Sequence, residues 1–83
     1  MNNFLEKCKN EVIKHYNNEI TEDKIYFVWF CKTLNTAKAL LSTAIPNDTT
    51  YFEFTYNGDK NEIYVDVYSK NHNYLVKVES DLF

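Results

Sequence analysis

The stretch YFEFTYNGDKNEIYVDVY, residues 51–68, decides the fold because it places two alternating runs around a turn signal. Residues 51–56 and 62–68 alternate between apolar and polar side chains, which is typical of half-buried strands. The intervening Asn57-Gly58 dipeptide readily adopts the left-handed backbone conformations of a hairpin turn. The stretch therefore predicts a β-hairpin.

The pairing register of this hairpin can be argued from its side chains. A two-residue loop would set Glu53 opposite Glu62, and a three-residue loop would place Phe52 and Glu62 together on one face. A four-residue loop avoids both conflicts, and we expect it to pair Phe54 with Ile63, Phe52 with Val65 and Glu53 with Tyr64. One sheet face then carries the apolar side chains Phe52, Phe54, Tyr56, Ile63, Val65 and Val67.

The opposite face of the hairpin combines tyrosines with carboxylates. It carries Tyr51, Glu53, Glu62, Tyr64, Asp66 and Tyr68. Tyrosine is enriched at protein interfaces because its ring buries apolar area while its hydroxyl stays hydrogen-bonded, and acidic neighbours select for a basic partner. We predict that these six residues bind a protein with a basic surface. The alternatives are a homodimer that covers this face and a solvated face that binds nothing.

Residues 3–16 predict an amphipathic helix. Apolar side chains recur there at three- and four-residue spacing, namely Phe4, Leu5, Cys8, Val12, Ile13 and Tyr16. Asn3, with Glu6 three residues later, matches a capping pair at a helix N-terminus. We expect this helix to pack on the apolar face of the hairpin.

Two further strands are predicted between the helix and the hairpin. Residues 25–31 are rich in β-formers and apolar at both parities, which favours a central strand covered on both faces, with Cys31 buried in it. Residues 38–44 favour a return strand, although residues 37–41 would also suit a helix. Residues 46–48, Pro-Asn-Asp, favour a turn and end the preceding element before the hairpin.

The predicted fold class is therefore α+β, with an N-terminal amphipathic helix packed on one face of an antiparallel sheet of four strands. Residues 74–78 alternate weakly and are the candidate fifth strand, at a sheet edge. The whole chain of 83 residues is expected to form a single domain, since a second core has no room.

Composition and charge narrow the function classes. The formal net charge is −3 and all nine basic residues are lysines, so the bidentate phosphate contacts of arginine are absent and nucleic-acid binding is disfavoured. The N-terminus is too polar for a signal peptide, and no apolar run approaches the roughly 20 residues that span a bilayer. We expect a cytoplasmic protein with no membrane partner.

The residue patterns of common catalytic sites are missing from the sequence. His15 and His72 stand apart from any nucleophile motif, and Cys8 and Cys31 are too scattered for a zinc site. The single glycine, Gly58, excludes glycine-rich phosphate loops. We expect free thiols, no cofactor, no catalytic residue and no enzymatic activity.

Three segments carry a resemblance to a known group of proteins. They are VWFCKTL at residues 28–34, KALLST at 38–43 and TYNGDK at 55–60. Over residues 25–68 the chain resembles small proteins of phages and prophages in low-GC Gram-positive bacteria, a family without an assigned activity. The resemblance implies no catalytic residues and suggests an accessory protein working in the cytoplasm of an infected bacterium.

This resemblance gives the binding prediction a more specific form. We expect a protein that inhibits a host or anti-phage defence factor by stoichiometric binding, as anti-CRISPR proteins do. The alternative is an accessory factor of phage DNA replication or recombination that binds single-stranded DNA or a replication protein. Salt-dependent DNA binding would distinguish the two hypotheses, because only the second predicts it.

Overall fold

A computed structural model describes residues 2–69 and 74–81 of the chain. Its elements are α1 (Asn2–His15), a 3-10 helix (Glu22–Lys24) and the strands β1 (Ile25–Lys32), β2 (Thr36–Thr43), β3 (Thr50–Asn57) and β4 (Glu62–Ser69). The strands form one antiparallel sheet in the order β1-β2-β3-β4. The predicted α+β fold is confirmed. Residues 74–78 form no strand in this structure.

The core lies between α1 and the two central strands. Phe4, Cys8 and Val12 are buried on the helix face that the sequence predicted. Opposite them, β2 buries two alanines and a leucine and β3 buries two phenylalanine rings, namely Ala37, Ala39, Leu41, Phe52 and Phe54. We call this helix-covered side of the sheet the inner face, and the opposite side the outer face.

Residues 38–44 were predicted as a strand, with a helix as the alternative for residues 37–41, and the structure shows the strand β2 there. Its side chains alternate strictly, with Ala37, Ala39, Leu41 and Thr43 buried and the intervening residues half-buried. This alternation suits a strand because successive side chains point to opposite faces of a sheet. The two alanines leave space for α1, so a segment with helical propensity is held as a strand by its tertiary contacts.

The prediction that the strand around residues 25–31 is central was wrong, because β1 is an edge strand. Tyr26, Val28 and Trp29 are each about half exposed, with relative exposures of 51%, 52% and 51%. Cys31 was also expected to be buried and is exposed. A bulge between Phe27 and Trp29 shifts the pairing with β2, which accounts for a strand that is apolar at both parities.

The β3–β4 hairpin has the predicted four-residue loop, but the predicted residue pairs were wrong. The observed register pairs Phe54 with Val65, Phe52 with Val67 and Glu53 with Asp66. Each predicted partner is therefore displaced by two residues, which leaves every side chain on its predicted face. The displacement arises because Asn57 still belongs to β3, and its side chain accepts a hydrogen bond from the Asp59 backbone N–H at 3.0 Å.

The glycine of this hairpin has a different role from the predicted one. The left-handed residue of the loop is Asn61, at φ 52°, and Gly58 does not have a positive φ. The Gly58 N–H donates to the Asn35 backbone carbonyl at 2.7 Å, and a Cβ added at Gly58 would lie 2.7 Å from the same oxygen. Glycine is needed here for the close approach of two backbones.

The helix boundaries differ slightly from the predicted ones. Because α1 begins at Asn2, Asn3 lies inside the helix and does not hold the capping position that was predicted for it. At the other end, Asn17 and Asn18 adopt left-handed φ values of 57° and 62°. The Asn18 N–H donates to the Ile13 carbonyl at 3.0 Å, a contact that helps to satisfy the end of the helix.

The turn between β2 and β3 is organised by the Asp48 carboxylate. It accepts hydrogen bonds from the Tyr16 hydroxyl, from the Thr43 hydroxyl at 3.1 Å and from the Thr50 backbone N–H at 3.0 Å. Burial acts to raise the pKa of Asp48, but the hydrogen bonds from Tyr16, Thr50 and Thr43 outweigh it and hold that pKa below its ordinary value. The hydrogen bond between Tyr16 and Asp48 joins the end of α1 to the sheet.

Candidate functional site

The outer face of the sheet brings the six predicted site residues together. Side chains from all four strands form rows across it, because the β2–β3 and β3–β4 registers are continuous and the shift at the β1 bulge sets Trp29 and Cys31 opposite Leu40 and Lys38. The rows are Tyr26-Ser42-Tyr51-Tyr68, Trp29-Leu40-Glu53-Asp66 and Cys31-Lys38-Thr55-Tyr64, with Glu62 at the hairpin end. No described helix packs on this face, since α1 contributes to the core on the inner side.

Glu53 is the most firmly held carboxylate of the outer face. It accepts a hydrogen bond from the Tyr68 hydroxyl at 2.9 Å and forms an ion pair with the Lys38 ammonium at 3.2 Å. The Tyr68 hydrogen bond and then the Lys38 contact hold the pKa of Glu53 below its ordinary value. Lys38 also offsets the repulsion expected between Glu53 and its cross-strand neighbour Asp66.

The tyrosine hydroxyls of the outer face act as hydrogen-bond donors to carboxylates. Tyr64 donates to Glu62 at 2.9 Å, as Tyr68 does to Glu53. These hydrogen bonds are the main cause that raises the pKa values of Tyr64 and Tyr68. Both phenols therefore stay protonated at neutral pH and remain hydrogen-bond donors.

The aromatic rings of the outer face remain accessible, including those of Tyr64 and Tyr68, whose hydroxyls are engaged. Tyr64 is 54% exposed, and Tyr51 and Tyr68 are about 40% exposed where their rings stack, with centroids 5.6 Å apart. The stack is a direct cross-strand pair, which restricts both rings in advance of binding. The face thus offers exposed ring area, and the hydroxyls of Tyr64 and Tyr68 are already hydrogen-bonded.

The fold adds residues to this face that were not among the six predicted ones, namely Tyr26, Trp29, Cys31, Lys38, Leu40, Ser42 and Thr55. Trp29 and Tyr26 reach it from β1, and Lys38 reaches it from β2. The position of Trp29 depends on the bulge that precedes it, which carries no glycine or other obvious sequence signal. Lys38 was detectable only as a polar residue between the buried Ala37 and Ala39.

The residues that could support other chemistry are dispersed. Cys8 and Cys31 are both free, and burial raises the pKa of the Cys8 thiol to about 12. His15 is exposed at the end of α1, where its ring lies edge-on to the ring of Phe52, with the ring centroids 5.0 Å apart. His72 lies outside the described residues. The described residues contain no group of His, Cys, Asp and Glu side chains that could hold a metal ion.

A comparison with models of protein families shows to which family the chain belongs. The model of a family of unknown function, DUF6275, matches residues 5–78, which include most of α1 and all four strands. The chain belongs to the DUF6275 family. No curated protein and no solved structure matched it. Membership in DUF6275 therefore agrees with the part of the predicted resemblance that concerned a family without an assigned activity.

One further observation concerns the membrane prediction for this DUF6275 member. Across residues 2–69 and 74–81, no helix combines the length and the apolar content that crossing a bilayer requires.

Proposed function

We propose that this DUF6275 member is a non-catalytic binding protein whose outer face docks stoichiometrically on a basic surface of a protein partner. The observation that carries the proposal is the row of exposed tyrosines on a sheet face that no described element covers. Exposed aromatic area of this kind marks interaction surfaces, and tyrosine is among the residues that contribute most binding energy.

The charge of the outer face supports a basic partner. Three carboxylates, Glu53, Glu62 and Asp66, stand on it against one lysine, and that lysine is paired with Glu53. Within the described residues, the Asp66 carboxylate has no hydrogen-bond or ion-pair partner. A basic partner would supply the missing counter-charge, which speeds association and excludes acidic competitors.

The biological form of the proposal rests on the resemblance to phage and prophage proteins. In that form, the protein acts in the cytoplasm of an infected bacterium and inhibits a host or anti-phage defence factor, such as a nuclease with a basic groove, in the manner of an anti-CRISPR protein. A small acidic domain that occupies such a groove would inhibit by blocking it and would need no chemistry of its own.

Affinity capture with matched variants tests this proposal. The tagged wild type is compared in nuclease-treated bacterial lysate with Asp66→Lys on the outer face and with Glu19→Lys, which makes the same charge change at an exposed residue after α1. We expect one dominant partner for the wild type and Glu19→Lys, and its loss for Asp66→Lys. Equal recovery by all three proteins would exclude the outer face as the binding site.

A second candidate function is binding of single-stranded DNA, or of a replication protein, during phage DNA replication or recombination. The stacked pair Tyr51 and Tyr68, with Trp29 on the same open sheet, is the observation that favours it, because aromatic sheet faces stack bases. A gel shift with a single-stranded oligonucleotide at increasing salt is the test. A shift that weakens steeply with salt would favour DNA binding over the protein-binding proposal.

A further inference from the structure

The two edges of the sheet differ in how well they are protected against pairing with another strand. The β1 edge carries a bulge between Phe27 and Trp29, and such bulges disrupt the ladder that a further strand would need. The β4 edge has a continuous register from Glu62 to Ser69 and contains no proline, glycine or lysine. A long, regular edge of this kind is a template for strand addition.

The β4 edge is also apolar on the side that faces α1. Val65 and Val67 point to the inner face, where their partners Phe54 and Phe52 are buried, yet they are 42% and 48% exposed. The helix packs on the central strands, and its residues Glu11, Lys14 and His15 only border these two valines along an open groove, outside the core. Among the described residues, this edge of β4 pairs with no other strand, and it lies beside a half-exposed apolar strip.

We propose that this edge pairs with the β4 edge of a second copy, so that two sheets join into one antiparallel sheet of eight strands. This inference does not require the proposed function, because it is argued from the backbone edge of β4 and the inner-face valines, and the outer-face side chains of β4 enter only in the choice of register. The two copies would be related by a twofold axis perpendicular to the sheet, which keeps both helices on the same side.

The side chains of β4 and the length of the paired segment together favour one register, because an axis at Val67 also avoids like charges but pairs only residues 65–69. A twofold axis at Asp66 would set the two Asp66 carboxylates opposite each other, and one at Tyr64 would set Glu62 opposite Asp66 of the second copy. An axis at Val65 avoids like charges. It pairs Val65 with Val65, Ile63 with Val67, Tyr64 with Asp66 and Glu62 with Tyr68 across the two copies.

The axis at Val65 gives favourable pairs on both faces of the joined sheet. On the inner side, branched aliphatic residues meet each other, and on the outer side each carboxylate meets a tyrosine. Asp66, which has no hydrogen-bond or ion-pair partner among the described residues, gains a phenol as its neighbour. The paired segment is short, so we expect a dimer that dissociates on dilution.

Disulfide trapping tests the register directly. In a Cys31→Ser background, Val65→Cys would place two thiols on directly opposed residues, whose Cα atoms lie about 4.5–5.5 Å apart, within disulfide range. Val67→Cys is the matched control, because the two copies of residue 67 would be separated by about 13 Å along the strands. Mild oxidation should link Val65→Cys into a dimer and leave Val67→Cys monomeric on a denaturing gel.

Sedimentation of the full chain tests the association itself. Val65→Lys should weaken the dimer about tenfold or more, since two lysines would meet at the axis, and Val28→Lys on the β1 edge should leave it unchanged. Circular dichroism establishes that both variants fold. A wild type that stays monomeric at every concentration, equal trapping of both cysteine variants, or a dimer without trapping at residue 65 would overturn the proposal.

Discussion

Substituting Gly58 with alanine should destabilise the protein through a clash between two backbones. The new Cβ would lie 2.7 Å from the Asn35 carbonyl oxygen, where the Gly58 N–H now donates a hydrogen bond. Overpacking of this kind costs about 1–3 kcal/mol, and a lost backbone hydrogen bond costs about 1 kcal/mol. The reduced entropy of the unfolded chain returns about 0.4–1 kcal/mol. The net loss should be about 2 kcal/mol.

Thermal unfolding measures this effect. For a domain of this size, about 2 kcal/mol corresponds to a fall in Tm of roughly 8–16 °C. Gly58→Asn separates the steric explanation from one based on turn conformation, because asparagine tolerates left-handed backbone but still carries a Cβ. We expect Gly58→Asn to be destabilised at least as much as Gly58→Ala. A wild-type Tm for either variant would refute the close-approach argument.

Two further predictions concern groups within the fold. Because Asp48 has a lowered pKa in the folded state, its contribution to stability is present above the unfolded pKa and is lost as pH falls through the folded pKa. Asp48→Asn should therefore lower the free energy of unfolding by about 1–2 kcal/mol at neutral pH, with a deficit that shrinks below about pH 4 in denaturant titrations. A constant deficit at all pH values would contradict this assignment. For the thiols, a colorimetric reagent should modify the exposed Cys31 readily and reach the buried Cys8 only after unfolding. Rapid modification of both in the folded protein would contradict the packing of α1.

Local patterns were sufficient to predict most of the fold. The spacing of Phe4, Cys8 and Val12 predicted the buried face of the helix, and the alternation around Asn57-Gly58 predicted the hairpin. The two faces of the hairpin were predicted correctly even though the pairs were not. The reason is that a displacement of two residues conserves the direction of every side chain.

Long-range pairing could not be read from local patterns. The apolar run in β1 was consistent with a covered central strand, and only the strand order shows that Tyr26, Trp29 and Cys31 are exposed. The same order brings Lys38 beside Glu53, so the charge balance of the outer face depends on contacts between strands distant in sequence. These features depend on pairing between distant strands, and local sequence patterns do not specify that pairing.

Titrating the protein with the captured partner while recording Trp29 fluorescence tests the binding role of the outer face most directly. Trp29 is the only tryptophan of the chain and lies in the same row as Glu53 and Asp66. With a partner fragment or variant that lacks tryptophan, docking should shift the emission to the blue and saturate at one partner per chain. Asp66→Lys should raise the partner concentration that is needed for saturation, and Glu19→Lys should leave it unchanged. Tight binding with unchanged Trp29 emission and no effect of Asp66→Lys would contradict the proposed role of the outer face.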